Sequence, residues 1–212
     1  RGLGYHRRAK ALHDTARVLR DEFDGVVPRT VQELRTLPGV GEYTAAAVAS
    51  FAYGEHVAVL DTNVGRVLAR AIVNRRLRPR EARRLAADVL PRTNAAAFNQ
   101  AMLDLGAQFC RSAPRCDACP LASHCAWRKG GGEDPAPLSA GVSRSQPPFE
   151  GSNRQLRGRV LNALRDRPHS RQELDLVLTG IDAERSDDLL EGLERDGLIT
   201  RRRRSYALAG AQ

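Results

Sequence analysis

At 212 residues the chain is long enough to bury one sizeable core and a second, smaller one without disulfide staples. A net charge of +9 and a pI near 10.2, carried mostly by arginine, favour an anionic partner such as nucleic acid over an acidic small molecule. No apolar run approaches the ~20 residues a membrane-spanning helix needs, and the first residues lack the apolar core of a signal peptide, so we expect no membrane partner and a cytoplasmic, nucleoid-associated monomer. The opening Arg1-Gly2-Leu3-Gly4-Tyr5 reads as the interior of a longer chain.

From His6 to Phe23 the residues Ala9, Leu12, Ala16, Leu19 and Phe23 recur at three- and four-residue steps, which predicts one amphipathic helix. The same periodicity predicts helices at Tyr43–Tyr53, Asn63–Val73, Arg80–Leu90 and Ala95–Phe109. Strand-like alternation is nearly absent here, so the first domain, residues 1–128, should be all-helical. Residues 129–151, with a Gly130-Gly131-Gly132 run, prolines and serines, read as a linker or as an ordered but irregular crossover. Beyond them, in residues 152–212, Gln155–Leu164, Ser170–Leu178 and Ala183–Asp196 predict three short helices, the second opened by Ser170 and Glu173 at capping-box spacing. The end, Gly197–Leu208 with Arg201–Arg204 at its middle, fits a hairpin with a basic turn. Three helices and a hairpin make a small winged-helix-like domain.

Leu37-Pro38-Gly39-Val40-Gly41 precedes the Tyr43 helix. Its two glycines let the backbone turn tightly and aim amides at a phosphate, helped by the partial positive charge of a helix N-terminus, although an ordinary helix–helix connection uses the same turn. Val59-Leu60-Asp61-Thr62-Asn63-Val64 puts a carboxylate where the next helix begins. Asp61 there serves as a cap, as an acid held ionised to stabilise a cationic sugar, or as both.

All four cysteines, Cys110, Cys116, Cys119 and Cys125, fall within sixteen residues. In a reducing compartment this points to metal rather than disulfides, and four thiolates suit a tetrahedral zinc or a cubane [4Fe–4S] cluster. Zinc sites come as two close pairs, whereas only Cys116 and Cys119 are close here, which tilts the reading toward iron–sulfur. Arg111, Arg115 and Arg128 set positive charge beside them.

The succession of Gly2-Leu3-Gly4-Tyr5, Leu37–Gly41, Tyr53-Gly54, Leu60–Val64 and Asn99–Ala107, then the cysteines, resembles the adenine mismatch glycosylases of the helix-hairpin-helix superfamily, over residues 1 to about 128. The resemblance implies a mainly α fold, two helical subdomains with DNA between them, an iron–sulfur cluster loop at 110–125, and base-excision repair of adenine mispaired with 8-oxoguanine or guanine in double-stranded DNA. It implies Asp61 as the catalytic aspartate and Tyr53 as a catalytic tyrosine hydrogen-bonded to it. It implies Leu37, Gly39, Val40, Gly41, Tyr43 and Asn63 at the DNA, with a monovalent cation at the hairpin. Tyr43 stands where lyase members carry a Schiff-base lysine, and a phenol forms no imine, so the expected enzyme is monofunctional and uses water.

Three departures qualify the likeness. The first cysteine gap is one residue shorter than the common form, and the C-terminal region resembles that of actinobacterial members instead of the Nudix-like domain of others. The glutamate that protonates adenine in the family is expected upstream of Arg1, since Glu42 and Glu55 read as solvated. Residues 1–212 by themselves are therefore expected to bind DNA weakly and release little adenine. The rival readings are an endonuclease III-like or thymine-mismatch glycosylase and a non-enzymatic iron–sulfur DNA-binding regulator.

Overall fold

The computed structural model describes residues 6–142 and 148–210; the Gly2–Tyr5 stretch of the family motif lies outside them. The chain divides into two compact units, Leu19–Ser145 and Arg1–Val18 with Gln146–Gln212. The long first helix, α1 (His6–Glu22), therefore contributes to both units.

The larger unit is helical. The four-residue α2 (Val31–Leu34) is opened by Thr30, whose hydroxyl oxygen accepts from the Glu33 amide at 3.2 Å. Next comes α3 (Glu42–Tyr53), closed by Gly54 at φ +70, where the Gly54 and Glu55 amides donate to the carbonyls of Ser50 and Ala49. That left-handed closure satisfies the last carbonyls of the helix at a position glycine tolerates best.

The segment predicted as one helix over Asn63–Val73 is α4 (Thr62–Val67) continued by a wider π turn over Leu68–Val73. Periodicity does not distinguish the two, because their apolar spacings differ by less than a residue per turn. Then follow α5 (Pro79–Asp88), with proline in its first turn, α6 (Ala95–Gln108) and the five-residue α7 (Ala126–Gly130). Val64, Val67, Leu68, Leu77, Ala82 and Met102 form the buried core of this unit.

Residues 133–142 form an ordered crossover. The Ala140 amide donates to the Leu77 carbonyl at 2.8 Å, and the Leu77 amide donates to Ser139 Oγ at 3.1 Å. Asp134 anchors the start of this strap through an ion pair with Arg70.

The smaller unit contains α8 (Asn153–Asp166), α9 (Arg171–Val177) and α10 (Ala183–Arg195), capped by Ser152, Ser170 and Asp182 respectively. Ser170 and Glu173 close the expected capping box. An antiparallel hairpin, β1 (Ile199–Arg202) and β2 (Ser205–Leu208), pairs Ile199 with Leu208 and Arg202 with Ser205. Leu156, Val160, Leu174, Leu190, Leu193 and Tyr206 meet in its core.

Candidate active site and cysteine cavity

The hairpin forms because Leu34 and Leu37 are buried, at 1% and 4% exposure, while Gly39 turns the chain at φ +74 between them and α3. Leu37, expected at the DNA, thus points its side chain into the core. Gly41 is the N-cap of α3 and offers no side chain to the amides of the first turn, and nothing lies within 4 Å of where its Cβ would be. Those amides can meet a phosphate without a side chain intervening. Tyr43 follows with 45% of its surface exposed. It lines a groove with Val31, Arg35, Ala46, Leu60 and Arg83. Glu42 pairs with Arg83 at 3.2 Å on this exposed face.

The extended run into Asp61 is fastened by α6. Asn99, 3% exposed, accepts from the Val59 amide at 3.1 Å and donates to Ser50 Oγ and the Val57 carbonyl at 2.9 and 2.8 Å. Asp61 then caps α4: its Oδ1 accepts from the Val64 amide at 2.8 Å, and its Oδ2 accepts from Asn63 Nδ2 at 2.8 Å. Both oxygens are oriented, and the half-buried carboxylate sits on the positive end of a helix. Asn63, expected to contact DNA, has its side chain engaged inward, since its Oδ1 accepts from Arg66 at 2.6 Å. Among the described residues no hydrogen bond joins Tyr53 to Asp61. Its hydroxyl donates to the Val27 carbonyl at 2.9 Å, and Arg29 lies over its ring.

Behind Asp61 stand two arginines whose role composition conceals, because an arginine on a helix ordinarily reads as solvated. Arg66 is 9% exposed and donates to the carbonyls of Cys110 and Gly106 at 2.7 and 3.0 Å. Arg70, 1% exposed, donates to both oxygens of Asp134, to the Arg111 carbonyl at 2.6 Å and to Cys110 Sγ at 3.5 Å. Its guanidinium also lies over the Trp127 ring. Burial works to lower the affinity of Arg70 for its proton, but the hydrogen bonds and charges of Asp134 and Cys110 together more than offset this and raise it. Burial likewise raises Asp134, yet the hydrogen bonds from Arg70 and the Ala136 amide outweigh it and hold the carboxyl below its ordinary range.

Cys110, Cys116, Cys119 and Cys125 line one cavity of about 390 Å³, part of it open to solvent, with Val67, Leu105, Phe109, Leu121 and Trp127 as apolar walls. Among the described residues, no group of three or more His, Cys, Asp or Glu side chains gathers around a single point as ligands of one metal ion. Burial pushes the Cys110 thiol up, opposed by Arg70 and Arg66. Of the arginines beside the cysteines, Arg128 pairs with exposed Asp117 at 3.0 Å.

The strap closes on the same helix. Thr62 Oγ1 donates to the Gly141 carbonyl at 2.8 Å, and a Cβ at Gly65 would lie 2.8 Å from the Ala140 carbonyl oxygen. No helix among the described residues is long and apolar enough to cross a membrane.

Comparison with known proteins agrees with this geometry. Residues 22–51, which include α2, the hairpin and most of α3, match the helix-hairpin-helix motif model. The chain is similar to an adenine DNA glycosylase of Mycolicibacterium smegmatis, 46% identical over 98% of this chain and 71% of that protein. Its fold is similar to that of a thermostable thymine-DNA glycosylase, with a TM-score of 0.53 and 31% identity over 61% of each chain. A non-covalent endonuclease III–DNA complex is as similar, with a TM-score of 0.53 and 31% identity over 61% of each chain. The helix-hairpin-helix match and the 46% identity over 98% of this chain establish that the chain belongs to the adenine DNA glycosylases, helix-hairpin-helix enzymes of base-excision repair that hydrolyse N-glycosyl bonds.

Proposed function

We propose that the substrate is adenine mispaired with 8-oxoguanine or guanine in double-stranded DNA, and that Asp61 stabilises the sugar as the glycosidic bond breaks. The observation that carries this reading is the doubly held carboxylate of Asp61 at the start of α4, with oxygens 2.8 Å from the Val64 amide and from Asn63 Nδ2. A carboxylate fixed in this way faces an oxocarbenium-like sugar without reorganising, and such preorganised charge is typically worth 10²–10³-fold in rate.

The target base leaves the stack first, at a cost of a few kcal/mol that a mispair lowers. The amides of the first turn of α3, behind Gly41, grip a backbone phosphate, and the Leu37–Gly41 turn would hold a monovalent cation that supplies further positive charge toward the DNA backbone. Tyr43 supplies no amine, so water attacks the sugar and the strand is left uncut.

The four cysteines fit a [4Fe–4S] cluster. They form an all-thiol donor set on the walls of one largely apolar cavity, and four thiolates are the ligand number and type such a cluster takes. Cys110, Cys116, Cys119 and Cys125 would hold such a cluster, which would tie the 110–125 segment together. Arg66 and Arg70 then hold the Cys110 backbone against α4 and its π continuation.

Single-turnover base release by the full-length protein tests the function. Adenine release from an adenine:8-oxoguanine duplex, with no strand cleavage and no borohydride-trapped adduct, is expected. Thymine release from a guanine:thymine duplex with adenine left in place would overturn the substrate. Iron and inorganic sulfide in the purified protein are expected as well, and one equivalent of zinc without sulfide would overturn the cluster.

A further inference from the structure

The smaller unit separates its charge between two neighbouring elements. On α10 the buried side is Ser186, Leu189, Leu190 and Leu193. The opposite side, at spacings of three and four, carries Glu184, Asp187, Asp188 and Glu191, all exposed. Asp187 pairs with Arg171, and the other three extend the same anionic stripe. Phosphates line both walls of a DNA groove, so a helix with this outward face is repelled from the position that the last helix before a hairpin would take in reading bases.

The hairpin has the opposite character. Between Ile199 and Leu208 there is no acidic residue, and Arg201, Arg202, Arg203 and Arg204 follow one another, all exposed. Arg203 and Arg204 make the two-residue connection beyond the Arg202–Ser205 pair. The ion pairs of this unit take up Arg7, Arg157, Arg167 and Arg171, and among the described residues none takes Arg203 or Arg204. The adjacent guanidinium groups of Arg203 and Arg204 repel one another unless an anion lies against them, and arginine matches phosphate geometry with two parallel hydrogen bonds.

The base of the hairpin is rigid. Ile199 and Tyr206 are 2% and 6% exposed, and Tyr206 exchanges two backbone hydrogen bonds with His169. Arg201 is braced over the Tyr206 ring. Because successive residues of a strand point to opposite faces, Arg201 and Arg202 flank the tip on both sides and Arg203 and Arg204 crown it.

We propose that the Arg201–Arg204 hairpin tip is a DNA-contacting element additional to the helix-hairpin-helix turn. It grips backbone phosphates irrespective of sequence, while α10 contributes no DNA contact. This inference is independent of which base the enzyme excises, because it requires only an intact duplex.

The test is binding of the full-length protein to an undamaged duplex of about 30 base pairs without a mispair, measured by fluorescence anisotropy between about 50 and 200 mM KCl. Each phosphate contact contributes about 0.9 to the slope of log K against log salt, so the Arg203→Ala/Arg204→Ala variant should lose about 1.8 of that slope and, with an unchanged intercept at about 1 M salt, bind roughly 60-fold more weakly at about 100 mM salt. Arg203→Lys/Arg204→Lys should retain most of the slope, and Asp188→Asn/Glu191→Gln should leave it unchanged. An alanine variant that keeps its helical signal and a slope within about 0.5 of the parent would overturn the proposal. So would a gain of slope on neutralising α10 with no loss at the hairpin. An unchanged slope accompanied by loss of binding to anionic vesicles or to another protein would identify a different partner and equally overturn it.

Discussion

Replacing Gly106 with alanine should damage catalysis as well as stability, by comparable free energies. A Cβ at this position of α6 would lie 2.5 Å from Asn63 Cβ, 2.6 Å from the Asn63 carbonyl oxygen and 2.7 Å from its carbonyl carbon. Carbon atoms ordinarily rest about 3.5–4.0 Å apart, so the start of α4 and α6 must part by ~1 Å, and two of the three obstructing atoms are backbone that cannot rotate aside. Overpacking of this kind costs typically 1–3 kcal/mol. Asn63 holds Oδ2 of Asp61, and the Gly106 carbonyl holds Arg66, so the displacement falls on the carboxylate itself. Misplacing a reacting group by ~1 Å costs on the order of 10²-fold in rate.

The assay is single-turnover adenine release by the full-length Gly106→Ala protein, with thermal melting, visible absorbance and duplex binding measured alongside. We expect release slowed on the order of 10²-fold, binding within about threefold of the parent and the chromophore retained. Gly41→Ala is the steric comparison: open space surrounds its Cβ position and its φ of −88° suits alanine, so its melting should fall only by the replacement of a glycine N-cap, about 1 kcal/mol or less. Release by a folded Gly106→Ala protein within about threefold of the parent would refute the reasoning that α6 packing sets the position of Asp61.

Asp61→Asn keeps a good N-cap oxygen for the Val64 amide but loses the charge, so melting should change by less than about 1 kcal/mol while release falls by about 10²–10³-fold; loss of fold with the chromophore would instead make capping the whole role. Asp134→Asn leaves the Arg70 charge uncompensated in a site where its side chain is 2% exposed, and should destabilise the larger unit by about 3 kcal/mol, or roughly 10 °C in melting temperature; an unchanged melting point would remove the strap anchor from the fold's support. Glu173 is held down to about 2, first by the Arg167 guanidinium and then by the Ser170 amide and hydroxyl. Its folded value lies below the ordinary 4.5, so its contribution is present above about pH 4.5 and lost as pH falls toward about 2. The stability gap between parent and Glu173→Gln, followed by urea unfolding across that range, should close, and a constant gap would exclude the linkage.

The amino-acid sequence by itself determined what depends on neighbours a few residues apart. The helices of both units, the capping box at Ser170, the turn at Gly39 and the cap at Asp61 are all written in spacings of two to four residues, because hydrogen bonds and apolar stripes of that range form within one segment. The clustering of the cysteines is equally local, and so is the family motif that the comparisons bear out.

Tertiary structure decided the partners. Arg66 reaches Cys110 across 44 residues, Arg70 reaches Asp134 across 64, and Thr62 reaches Gly141 across 79. Nothing local distinguishes a buried arginine from a solvated one, since its burial depends on whether distant carbonyls and a carboxylate arrive to compensate the charge. The same reason explains Tyr53, whose hydroxyl is taken by the Val27 carbonyl 26 residues earlier, and Asn63, drawn inward by Arg66. It also explains the crossover at 133–142. Glycine and proline there permit either a loose linker or an ordered strap, and the choice falls to the strap because the buried Arg70 needs the counterion that Asp134 carries to it.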